Sequence, residues 1–115
     1  MFIIHSAWGV IDEVWDGSYW LETDLERAIA LGLKLISQEI EGEYYDDEGV
    51  DPYAIRQAID AGDFARANEL YTEWCRYNKE RPATVRILEV RAPSDDGTRY
   101  TSLVDPEDLK LKANA

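Results

Sequence analysis

The clearest periodicity in the chain runs from residue 25 to residue 40. Leu25, Ala28, Ile29, Gly32, Leu33, Ile36 and Ile40 recur at spacings of three and four, and Leu31 and Leu35 widen the stripe. That pattern puts one broad apolar face on a helix, and its width predicts the central helix of the fold. Thr23-Asp24-Leu25-Glu26 precedes the stripe as a capping box. The Thr23 hydroxyl is expected to accept the Glu26 amide, and Glu26 to reach back to the amide of Thr23. The helix is expected to run to about Glu41, with Gly42 as its C-terminal cap.

Upstream the composition changes to that of strands, with imperfect alternation. Residues 2–8 are β-branched and aromatic enough for a strand. Val10–Trp15 and Ser18–Glu22 flank Asp16-Gly17, and both turn residues tolerate the positive φ of a type I′ turn. A hairpin turning at Asp16-Gly17 follows. Downstream, Asp51-Pro52 opens a short helix, with Asp as cap and Pro at its first position, ending near Ala61-Gly62. Another helix runs from Asp63 to about Asn78, with Phe64, Ala67, Leu70, Tyr71, Trp74 and Cys75 as its stripe. Residues 61–71, AGDFARANELY, resemble the middle of a tetratricopeptide repeat. That family stacks several copies to bury a core, and the chain holds one, so an ordinary helical hairpin is the expectation.

Pro82 ends the helical region. In Thr84–Arg91, Val85 and Ile87 alternate with Arg86, Glu89 and Arg91, and Leu88 falls off phase. Pro93–Gly97 is turn chemistry, and Arg99–Val104 returns as the partner strand. Asp105–Leu109 can form one helical turn. Residues 111–115 are expected to fray. Hairpin, three helices, hairpin predicts a single α+β domain over 1–110: a small antiparallel sheet of the N- and C-terminal hairpins, covered on one face by the helices.

Charge adds what periodicity does not show. The chain carries 24 acids against 12 bases, a net charge of −12. Residues 1–55 hold 13 acids and two bases, Arg27 and Lys34, whereas the rest is nearly balanced. The excess peaks in Glu39–Asp51, where seven carboxylates and the pair Tyr44-Tyr45 occur without Lys or Arg. Three of those acids, Glu39, Glu41 and Glu43, stand at the C-terminal end of the central helix, where its dipole favours cations. Such a one-sided field steers basic partners. It disfavours direct binding to a phosphate backbone or an anionic membrane, both of which need Lys and Arg.

The remaining chemistry is sparse. Asp46-Asp47-Glu48-Gly49 resembles part of a calcium loop, but Tyr44 stands where its first carboxylate belongs and no Glu closes it. A solvated acidic loop is the expectation, with no metal and no cofactor. His5, the single histidine, lacks an identifiable triad or metal partner and reads as a packed strand residue. Cys75 lies on an apolar stripe and reads as a small core hydrophobe. It cannot form an internal disulfide, which points to a reducing cytoplasm. Phosphate-loop, dinucleotide and nucleophile-elbow motifs are absent, so no catalytic residue is assigned.

In size, acidity and lack of catalytic motif the whole chain resembles the small phage-encoded inhibitors of host defence, including anti-CRISPR and anti-restriction proteins. The resemblance implies a nucleic-acid mimic that blocks a basic effector or nuclease, and it transfers no family residue. The expected contact surface is Glu39, Glu41, Glu43, Tyr44, Tyr45, Asp46, Asp47, Glu48 and Asp51. The alternatives are an immunity protein or antitoxin against a basic nuclease, a metal-dependent enzyme using clustered carboxylates, and an acidic accessory domain of a larger assembly.

Overall fold

A computed structural model describes residues 1–8, 17–41, 50–78, 83–91 and 101–111. In chain order it comprises β1 (Phe2–Trp8), β2 (Gly17–Glu22), α1 (Leu25–Ile40), α2 (Pro52–Asp60), α3 (Phe64–Asn78), β3 (Ala83–Val90) and β4 (Thr101–Leu103). A 3-10 turn, Pro106–Asp108, follows. The strands form one antiparallel sheet in the order β2-β1-β3-β4. The two terminal hairpins therefore meet along β1 and β3. The α+β architecture expected from the sequence is the one observed.

The apolar stripes behave as the periodicity predicts. Ala28, Ile29, Gly32, Leu33, Ile36 and Ile40 of α1 are all buried. Ile4, Val85 and Ile87 share one core with them, together with Phe64, Tyr71, Trp74 and Cys75 of α3. Alternation along β1 and β3 sends those strand residues to a single face. α1 lies against β1, β2 and β3 and also touches α2 and α3, so it is the central helix. α2 packs on α3 as a helical hairpin. Gly62 makes the turn with φ of 69°, a left-handed backbone that glycine adopts without a Cβ penalty.

Three local expectations are corrected. The N-terminal hairpin does not turn at Asp16-Gly17: Gly17 pairs with Ala7 inside the ladder and has no positive φ. The apolar run of β1 pairs with residues 17–22, and this long-range register overrides the local turn signal. Val10–Asp16 lies outside the described residues. The helix cap is Asp24, not Thr23. Its carboxylate accepts the Glu26 amide at 3.1 Å, which makes Leu25 the first helical residue. At the other end Glu41 is the cap, extended, donating its amide to Ser37; Gly42 lies outside the described residues. Finally, Leu111, the first residue of the expected fray, is tied down. Its amide donates to Gly62 at 2.9 Å, and Lys110 pairs with Asp63.

Candidate functional site

The acidic stretch is anchored at both ends by helix termini. Glu39 is exposed on the last turn of α1, and Glu41 is its exposed cap. Asp51 is the exposed cap of α2, its carboxylate accepting the Tyr53 amide at 2.9 Å. Glu43, Tyr44, Tyr45, Asp46, Asp47 and Glu48 lie outside the described residues. The fold brings Ile40 at the end of α1 to Asp51, Pro52 and Tyr53 around a hollow of about 280 Å³. Among its described lining residues the basic one, Arg56, is half-buried and donates to the Ser37 hydroxyl at 2.6 Å. Tyr53 is 66% exposed beside these acids. The sequence stripe could have singled it out, since it follows Pro52 on the polar side of α2.

A second acidic patch was not legible from the sequence, because its parts lie about eighty residues apart. Glu26 in the first turn of α1 meets Glu107 and Asp108 of the 3-10 turn around a hollow of about 650 Å³. Lys110, the base among its described lining residues, is 3.6 Å from Asp63. Asp24 and Asp105, both exposed, cap the two elements beside it. Acids therefore mark both ends of α1, which are separated by roughly 24 Å at 1.5 Å per residue.

The sheet face opposite the helices carries a different surface. The pairings Ile3 with Leu21, Ile3 with Leu88, and Leu88 with Leu103 set four aliphatic side chains in one row across all four strands. Leu21 and Leu103, at the two edges, are 64% and 65% exposed. This row accounts for Leu88, which breaks the inward alternation because it belongs to the outer face. The next row holds Tyr19, His5 and Arg86. Tyr19 stacks on His5 with ring centroids 4.2 Å apart. Burial, and then the neighbouring Arg86 charge, push the His5 imidazole below its ordinary pKa, which favours the neutral ring.

No family model, no curated protein and no solved structure matches this chain.

The remaining candidate chemistry is structural. Cys75 is free and buried. Burial, followed by the adjacent Cys75, pushes the Tyr71 phenol up and keeps it protonated. Among the described residues no three His, Cys, Asp or Glu side chains gather into a metal-binding group. None of their helices is long and apolar enough to cross a membrane.

Proposed function

We propose that this protein is a non-enzymatic binding protein whose acidic surface occludes a basic, nucleic-acid-binding partner, in the manner of phage-encoded inhibitors of host defence complexes. The observation that carries this reading is the exposed acidic junction of α1 and α2, where Arg56, the base among the described lining residues, is turned inward onto Ser37. Clustered carboxylates of this kind steer toward Lys- and Arg-lined grooves and raise the association rate. The second acidic patch, at the far end of α1, extends the surface to a length over which several phosphates could be imitated. Tyr53 supplies an aromatic anchor of the type enriched at interfaces. The partner class is a basic effector or nuclease, met in the cytoplasm of a bacterial host cell, with neither nucleic acid nor membrane bound directly.

The test is affinity capture on the immobilised protein from a host lysate, followed by elution with rising salt. The expected result is a nucleic-acid-binding protein that elutes early, because exposed charges are screened over about 8 Å at physiological ionic strength. The captured protein should also lose nucleic-acid binding when this protein is added. A partner whose binding is indifferent to salt and to competing nucleic acid would refute the mimic reading.

A further inference from the structure

Among the described residues, His5 Nε2, Thr84 Oγ1 and Arg86 Nη2 are three of the buried polar atoms that stand without hydrogen-bond partners; Ser102 Oγ on β4 is another. Such atoms are rare in folded proteins, because a buried donor without an acceptor costs free energy that packing must offset. A guanidinium nitrogen is the costliest of the three, since it carries charge. His5, Thr84 and Arg86 lie together. His5 is the register partner of Arg86, and Thr84 lies two residues from Arg86 on the same face of β3. His5 is only 4% exposed and Thr84 9%. Two donors and an imidazole thus share one patch of sheet, with Tyr19 stacked on the imidazole from β2.

On the sheet face around His5, none of the described neighbours in register is a carboxylate. Tyr19 and Arg86 are the titratable or charged groups in register with His5 on the neighbouring strands, and neither supplies negative charge at neutral pH. A route to the patch exists beside it. Between α3 and the open edge of β3 runs a groove of about 480 Å³, and Thr84 and Arg86 are among its lining residues. Its walls are apolar at Phe64, Leu103 and Leu109. The acids on its rim are already engaged: Glu73 pairs with Arg76 at 2.7 Å and Glu69 with Arg66 at 3.5 Å.

We propose that Arg86, Thr84 and His5 form a binding site for the oxyanion group, carboxylate or phosphate, of a small ligand whose apolar part lies in the groove between α3 and β3. The guanidinium and the hydroxyl donate to the oxyanion. Charge-assisted bonds of this kind are about twice as strong as neutral ones. His5, the register partner of Arg86, stands beside them outside the groove lining, and a bound anion would draw a proton onto its ring. This site is independent of the acidic surface assigned to partner binding.

His5 is the single histidine of the chain, so its ring resonances report on the site without overlap. The experiment follows the His5 Cε1–H signal by NMR at fixed pH. Inorganic phosphate or acetate is titrated in, and sodium chloride holds the ionic strength constant. A saturable shift, with a rise in the His5 pKa at saturation, is expected. Saturation by phosphate alone assigns a phosphate-bearing ligand, and by acetate alone a carboxylate-bearing one. Arg86→Gln and Thr84→Val should each raise the Kd about tenfold or more, the factor equivalent to a lost charge-assisted hydrogen bond. Thr84→Val keeps the side-chain shape, so it decides the question if Arg86→Gln fails to fold. A shift that never saturates with either anion, or one that survives unchanged in folded Thr84→Val, overturns the site.

Discussion

The side-chain oxygen of Asn68 on α3 accepts the backbone amide of Val85 on β3 at 2.8 Å. β4 is three residues long and pairs only with Leu88–Val90. One further bond, from the Val104 amide to Ile87, extends the ladder by a step. Val85 lies beyond that reach, yet its residue is buried, so a helix side chain takes over where the strand stops. Asn68→Ala should leave this amide without a partner and destabilise the fold by about 1–3 kcal/mol. Asn68→Asp keeps an acceptor and should cost less. Urea denaturation checks both. Equal stability of Asn68→Ala and wild type would mean that water satisfies the amide.

Gly32 of α1 packs directly against Phe64 of α3. A Cβ there would overlap the ring of Phe64, which is itself buried in the core. Two effects compete on substitution. Alanine gains about 1 kcal/mol of helix propensity, whereas forcing extra volume into a packed core costs about 1–3 kcal/mol. Gly32→Ala should therefore be net destabilising. In a Phe64→Leu background the overlap is relieved and the same substitution should become neutral or better. A double-mutant cycle of denaturation free energies measures that coupling.

The cap of α1 gives a sharper contrast. Asp24→Ala removes the carboxylate that accepts the Glu26 amide and should cost about 1 kcal/mol. Thr23→Ala touches no cap bond and should change stability by less than about 0.5 kcal/mol, the usual range for an exposed site. Chemical denaturation of the pair distinguishes them. A larger loss at Thr23 would restore the capping box read from the sequence.

That contrast shows where sequence reading succeeds and where it stops. The stripes of α1 and α3 were legible because each helix has to bury one face, and period alone identifies that face. Gly62 and Asp51-Pro52 were legible because turn and cap chemistry is local. Thr23 and Asp24 are both good caps, and a shift of one residue decides between them. Gly17 departs from its local turn signal because its partner is Ala7, and no two-residue window encodes that register. The row Leu21, Ile3, Leu88, Leu103 and the patch joining Glu26 to Glu107 are products of strand order and chain return. Their members look like isolated residues until the sheet is assembled. The tyrosine pair Tyr44-Tyr45 was singled out by its acidic neighbours, whereas Tyr53, which the fold exposes, was not.

Acidification offers a test of the His5 environment. Its folded pKa lies below the ordinary value of 6.5, so the unfolded chain binds the proton more readily. Stability contributed by the neutral ring is complete above about pH 6.5. It declines as pH falls from there through the lower folded value. Denaturation midpoints measured between pH 7.5 and 5.5 should therefore fall for the wild type. His5→Phe preserves the stack on Tyr19 without titrating, and should show a flatter profile over that window. Identical slopes would place the proton uptake elsewhere.

The acidic junction makes separable kinetic predictions once a partner is captured. Glu39, Glu41 and Asp51 are exposed at helix ends, and long-range charge acts mainly on the rate of encounter. Glu39→Lys combined with Glu41→Lys should slow association several-fold and flatten its salt dependence. It should leave the fold intact, because a cation at the end of α1 suits the helix dipole better than an anion does. Reversal of Asp46, Asp47 and Glu48 to Lys should act in the same direction. Asp51 is unsuitable for this test, since its carboxylate also caps α2 and its loss would mix stability with binding. Tyr53→Ala removes an exposed ring and no charge, so it should raise the dissociation rate and spare the association rate. Surface plasmon resonance on each variant, with its melting temperature as control, separates the two effects. Unchanged association after both charge reversals, in folded protein, would mean that the carboxylates only solvate this end of the molecule.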